Sequence, residues 1–125
     1  MVTCLLDTAV VVDLIRKHPP AQVWIAAQTQ PGVCSVVWLE VLQGAQNKAD
    51  QQKALRLLGR FERVELLKAD FDWAIANLLK YGLSHGVGAL DRLIASVNQR
   101  LQVPLYTRNL RHFAPLIGPL AQSPY

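Results

Sequence analysis

The chain of 125 residues is short of cysteine, of charge and of long apolar runs. Its two cysteines, Cys4 and Cys34, have no C-x-x-C spacing and no histidine beside them. That argues against a zinc site. Each falls in an apolar, strand-like run and is expected to pack as a small hydrophobe. The N-terminal apolar run is broken by Asp7 and Asp13 and is too short to span a bilayer. No basic segment followed by an apolar one is present, so no secretory leader is expected, and a reducing cytoplasm is the expected location. The sequence has no G-x-x-x-x-G-K-[ST], no G-x-G-x-x-G and no G-x-S-x-G. Gly-rich nucleotide cradles and the strand-to-helix serine elbow are therefore excluded. The three histidines, His18, His85 and His112, have no metal-ligand spacing. No internal repeat or low-complexity stretch occurs.

What is present is apolar. Hydrophobic residues make up 51% of the chain and charged residues 18%, more apolar material than one small core needs. This predicts a buried interface in addition to the core. Thirteen lysines and arginines against nine acids give a net charge of +4, a balance suited to a polyanionic partner. The length predicts one domain spanning residues 1–125.

Apolar patterning predicts alternating strands and helices. Val2–Leu6 reads as a buried strand ending at Asp7-Thr8, and Ala9–Lys17 as a helix stopped by His18-Pro19-Pro20. Pro20–Gln28 reads as a helix, Val33–Ser35 as a strand, and Val36–Gln46 as a helix capped by Ser35. Asp50–Phe61 has a helical apolar face, and Arg63–Leu67 alternates like a strand. Asp70 reads as the N-cap of a helix reaching Tyr81. Leu90, Leu93, Ile94, Val97 and Leu101 mark one buried helical face, loosened before its start by Gly86 and Gly88 and closed by Pro104. Val103–Thr107 follows as a strand, and Phe113–Tyr125 as a wrapped tail with a short edge strand near Leu120. This order means an α/β fold with a mainly parallel sheet and helices on both faces.

Three acids stand apart from the others. Asp7 is the last residue of an apolar strand, where it either caps the next helix or lies at the ligand edge of a parallel sheet. The wholly apolar strand before it favours the second reading. Glu40 shares a narrow polar strip with Gln43, Gly44 and Asn47 on a helix otherwise wrapped in apolar groups, so the strip is expected to face a cleft. Gly44 there allows another group to approach closely. Asp91 occupies a first helical turn, where it could simply complement the helix dipole. The strand after that helix delivers Thr107, Arg108 and Asn109 to the same edge. By contrast, Asp13 reads as a surface ion pair with Lys17. Glu62, Glu65, Asp70 and Asp72 read as caps and solvated faces. Three converging carboxylates need a cation between them, and oxygen ligands of this kind suit Mg²⁺ or Mn²⁺. A metal there would activate water for in-line attack on phosphorus.

The runs L-L-D-T-A-V-V-V-D-L at 5–14, V-V-W-L-E-V-L-Q-G-A at 36–45, and the stretch 90–113 resemble PIN-domain proteins, in particular the VapC-like toxins of bacterial toxin–antitoxin pairs. The resemblance implies a three-layer PIN-like fold and a metal-dependent endoribonuclease acting on structured RNA. In it Asp7, Glu40 and Asp91 would be the catalytic, metal-binding acids, and Thr8 the hydroxyl residue after the first of them. The family often has a fourth acid near residues 107–113, where this chain has Asn109 and His112. The resemblance also implies a homodimer and an antitoxin whose segment lies in a groove and blocks the acidic site. Thr8 and Asn109 are expected at the rim of the site, and Arg92, Arg108 and Arg111 are candidate phosphate contacts. Two other readings were weighed. A haloacid-dehalogenase-type phosphatase would require a second Asp where Ala9 stands. A PIN-like module that holds RNA or protein without cutting is kept alive by Asn109.

Overall fold

The computed structural model describes residues 1–82 and 87–125, so His85 and Gly86 lie outside the described residues. Five short parallel strands form the centre: β1 (Cys4–Leu6), β2 (Pro31–Cys34), β3 (Glu62–Val64), β4 (Leu105–Tyr106) and β5 (Ala121–Gln122). Their order across the sheet is β3-β2-β1-β4-β5. The chain therefore winds outward in one direction from β1 to β3, then crosses back to place β4 on the other side of β1. The gap between β1 and β4 is the topological switch point, where open α/β sheets place their ligands.

The central strands β1 and β2 are short, buried apolar runs, whereas the edge strands β3 and β5 are largely exposed. All three residues of β1 are buried, as is Leu105 of β4. Gly32 is needed for the close fit of β2: a Cβ there would sit 2.5 Å from Cγ1 of buried Val2.

Around the sheet run α1 (Thr8–Ile15), α2 (Pro19–Ala26), α3 (Ser35–Gln43), α4 (Lys48–Leu58), α5 (Lys68–Tyr81), α6 (Ala89–Leu101) and α7 (Leu110–Ile117). α1, α3 and α4 pack on one another, and α5, α6 and α7 form a second packed group. The result is the three-layer α/β architecture that the patterning implied. A single apolar cluster joins Leu5, Leu6, Val10, Val33, Val37, Leu58, Ile94, Leu105 and Phe113.

Several expected boundaries move for local reasons. Ser35 is the first residue of α3 rather than its cap, and its hydroxyl donates to Glu65 Oε2 at 2.6 Å. Gly44 ends α3 and faces only its own helix's carbonyls, so it accommodates no neighbouring group. Asn47 caps α4 by accepting from the Asp50 amide at 2.8 Å. Asp70 sits in the first turn of α5, one turn inside its expected place, and accepts from the Leu67 amide at 2.8 Å. It is fully buried and paired with Arg100, not a solvated cap. The expected tail instead contains α7, whose second half tolerates Pro115, and the short strand near Leu120 is β5. Among the described residues no helix is long and apolar enough to cross a membrane.

Candidate active site at the switch point

The site is assembled by strand ends and helix starts. Asp7 directly follows β1 and occupies the N-cap position of α1. Thr107 directly follows β4, and its hydroxyl donates to Asp7 Oδ2 at 2.7 Å. The two residues are neighbours because β1 and β4 pair, with the Asp7 amide bonded to the Tyr106 carbonyl at 3.0 Å. Thr107 is fully buried and its oxygen also accepts from the Asn109 amide at 2.9 Å, so its hydroxyl hydrogen is committed to Asp7.

Asp7 is itself buried, with 7% of its surface exposed. Burial pushes its carboxyl above the usual range; the bonds from the Thr107 hydroxyl and the Thr8 amide offset part of that, and the charges of Asp91 and Glu40 push it up further. The charges of both other acids singled out in the sequence thus bear on Asp7. Cys34, at the end of neighbouring β2, reports the same field. Its buried thiol is pushed up to about 11, chiefly by desolvation, with Asp7 and Glu40 adding to the rise. That thiol is inert.

Glu40, in α3, is half-buried and accepts from the Thr8 hydroxyl at 2.6 Å. Asp91, in the first turn of α6, lies with Oδ2 3.2 Å from Nδ1 of His112. Nδ1 of His112 is also 2.9 Å from the Asn109 side-chain amide. That nitrogen has one role at a time. As N–H it donates to Asp91, and the Asn109 amide must then turn its oxygen toward the ring; as a lone pair it accepts from the Asn109 NH₂. Thr8 and Asn109 therefore each hold or flank an acid, and His112, in α7, completes the contact to Asp91. Among the described residues no lysine or arginine pairs with any of the three acids.

The candidate phosphate contacts divide. Arg92 is 1% exposed and its guanidinium donates to Asn77 Oδ1, the Val87 carbonyl and the Gly82 carbonyl at 2.7–2.9 Å. It braces α5 against α6 and is removed from the set, because its buried donors are consumed by protein acceptors. Arg111 is exposed. Arg108 is 56% exposed along its side chain, and its Nη1 donates to both oxygens of Asp13 at 2.9 and 3.1 Å. Asp13 is accordingly no surface partner of Lys17. It is buried and binds Arg108 and the hydroxyl of Tyr125. Desolvation and the neighbouring Asp13 hold the Tyr125 phenol in its protonated form. Nothing near Asp13 in sequence announced this, since its partners come from the far end of the chain.

A cleft of about 1120 Å³ opens beside the site and shares Thr8 and Glu40 with it. Val12, Ile15, Val41, Leu57 and Phe61 line its apolar part. Arg16, Lys17, Lys53, Arg56 and Arg60 also line it, all exposed and, among the described residues, without ion pairs. Sequence patterning does not reveal this cluster, because its members come from the turn after α1, from α4 and from the turn after α4.

The PIN domain family profile matches residues 4–114. A comparison with curated protein sequences yields no match. Among solved structures, a chain of a toxin-antitoxin complex from Klebsiella pneumoniae is 25% identical, with a TM-score of 0.80 and 98% of each chain covered. A chain of VapBC2 from Rickettsia felis, bound to a DNA fragment from its promoter, is 23% identical, with a TM-score of 0.79 and 98% of each chain covered. A chain of DNA-bound VapBC from Salmonella typhimurium is 21% identical, with a TM-score of 0.77 over the same shares. With a parallel sheet whose switch point lies beside Asp7, and a family profile spanning residues 4–114, this chain belongs to the PIN-domain family.

Proposed function

We propose that this chain is a metal-dependent endoribonuclease, the toxin of a toxin–antitoxin pair, that hydrolyses RNA phosphodiester bonds at the switch-point acids. The observation that carries the reading is Asp7: a buried carboxylate with two acids in its field and a hydroxyl, not a cation, as its side-chain partner. A fold keeps such a charge at a cost in stability, and function is the usual compensation.

The donors fit Mg²⁺ or Mn²⁺ in kind, being carboxylate oxygens in a field that no basic side chain neutralises. Among the described residues no three of His, Cys, Asp and Glu converge as a ready-made ligand set. Mg²⁺ does not require one, since it keeps several waters and is held by one or two carboxylates. Asp7 and Asp91 would hold it, with Glu40 beside them. Such an ion supplies a water of lowered pKa and neutralises charge on the phosphate. The protein groups do the rest. Thr107 fixes the Asp7 carboxylate, Thr8 fixes Glu40, and His112 with Asn109 fixes Asp91. Arg108 and Arg111, both exposed, would bind flanking phosphates.

The cleft beside Glu40 supports a protein inhibitor as partner. Its apolar lining and five unpaired cations suit an amphipathic segment with an acidic flank, whose end would reach the acids. A homodimer is supported by α5, where Phe71, Ile75, Leu78 and Leu79 are exposed at helical spacing. α3 packs on α1, α4 and α6 and leaves Leu39 exposed. The proposed site of action is the cytoplasm.

The test is cleavage of transfer and ribosomal RNA with Mg²⁺ or Mn²⁺ against EDTA. Metal-dependent cuts are expected; RNA bound but left intact in every metal would favour the second reading, a PIN-like module that binds without cutting. Asn109 and His112, where the family often has an acid, favour that second reading.

A further inference from the structure

Asp13 is a buried acid that the proposed chemistry does not use. It lies in α1 and is 8% exposed, yet it binds two groups from the other end of the chain. Arg108 Nη1 donates to both its oxygens, and the Tyr125 hydroxyl donates to Oδ2. The Tyr125 ring is in turn set against Trp24 and His18, with ring centres 6.0 and 5.9 Å apart. The arginine so held is not an arbitrary one. It stands between Thr107, which fixes Asp7, and Asn109, which touches the His112 contact to Asp91. Its backbone is thus one residue from groups that hold two of the site's three acids.

The guanidinium has five N–H donors in a rigid plane. Asp13 engages the Nη1 corner only. The Nε–Nη2 edge has no partner among the described residues, and the side chain is more than half exposed. That free edge matches the two oxygens of a phosphodiester. A free arginine would give up rotamer freedom to make the contact, whereas one already held by a buried acid has lost it on folding.

We propose that Asp13 and Tyr125 are positioning residues that hold Arg108 with its Nε–Nη2 edge presented to a phosphate of the RNA strand beside the bond to be cut. The inference rests on the ribonuclease reading above. It makes an unusual demand: an acid, Asp13, must strengthen the binding of a polyanion. If Asp13 merely neutralised Arg108, its removal would tighten RNA binding.

The test is fluorescence anisotropy of a labelled single-stranded RNA in EDTA, over a salt series, so that binding is read without cleavage. Arg108→Ala is expected to weaken binding about tenfold and to lower the salt slope by about one. Asp13→Asn and Tyr125→Phe are expected to weaken binding about threefold, and to add nothing in the Arg108→Ala background. Tyr125→Phe changes no charge and lies at a partly exposed position, so it remains informative if Asp13→Asn melts. Tighter or unchanged binding in both variants, or full effects that persist without Arg108, overturns the inference while leaving the nuclease reading intact. Failure of the wild-type chain to bind RNA at low salt overturns both. An Arg108→Ala variant that binds RNA normally but loses an acidic inhibitor peptide overturns the inference in favour of a protein ligand at that edge.

Discussion

Asp70 and Asp7 are both buried carboxylates at the start of helices, and they keep opposite company. Asp70 is met by Arg100, whose Nε lies 2.9 and 3.2 Å from its two oxygens, and by the Leu67 amide. Asp7 is met by the Thr107 hydroxyl, the Thr8 amide and the charges of two further acids, and among the described residues it has no cationic partner. The first arrangement satisfies a buried charge and ties α5 to α6. The second leaves a charge for something outside the chain to satisfy. Burial alone does not separate a structural acid from a functional one; the sign of the neighbours does.

The largest expected effect breaks the Asp7 side of this contrast. Asp91→Asn keeps the shape of the cluster and removes one charge, and should lower RNA cleavage at least about 100-fold, as loss of a metal-site group does. Binding of RNA in EDTA should be kept or improved. Cleavage retained at saturating Mg²⁺ would take Asp91 out of the chemistry.

The Asp70 side should break in stability instead. Arg100→Ala strands a carboxylate that is 1% exposed, and should cost about 3 kcal/mol of unfolding free energy by urea titration. Cleavage per folded molecule should not change.

A smaller effect sharpens the contrast, because Asp7 should be worth having only for function. Its folded-state pKa is raised, so the folded chain holds that proton more tightly than the unfolded chain does. Its contribution is therefore most favourable below the ordinary carboxylate range and is lost as pH rises through the raised value. Asp7→Asn should stabilise the protein at pH 7 by roughly 1 kcal/mol, about 4 °C in Tm, and the gain should fade as the pH is lowered. The same variant should not cleave RNA. A Tm that falls at neutral pH would mean that Asp7 is structural.

The smallest effect concerns the cleft. Lys53→Glu with Arg56→Glu reverses two exposed, unpaired charges and should leave unfolding within about 0.5 kcal/mol of wild type. An acidic inhibitor segment should bind more weakly and with less salt dependence. If both are unchanged, the cleft's charge has no part in partner binding.

Much of this was legible in the sequence, where the signal is local. The apolar run of β1 and the buried Ile94 and Val97 of α6 mark their elements by periodicity alone. Leu90 at the head of the α6 stripe is nonetheless exposed, and the polar strip expected around Glu40 is cut short where α3 ends at Gln43 and Asn47 caps α4. What was not legible depended on contacts across the chain. Asp13 looks like the partner of Lys17 until β4 pairs beside β1 and brings Arg108 to it. Arg92 looks like a surface cation because its acceptors are one side chain and two carbonyls contributed outside its own helical turn. α7 was hidden by Pro115, whose missing N–H and steric clash in the helix interior are offset by the burial of Phe113 and Ile117.

The strand order also sets a schedule. β1 is at the start of the chain but needs β4 as its neighbour, and the bond from Thr107 to Asp7 spans 100 residues. A growing chain presents Asp7 first and the group that orients it near the last. At about 5–20 residues per second, many seconds separate the two events, and they cannot meet until the segment carrying Thr107 has left the ribosome. Closing so long a loop is slow in its own right. The switch-point site is therefore incomplete for most of the time the chain is being made, and it takes shape only when the segment carrying Thr107 folds back onto β1.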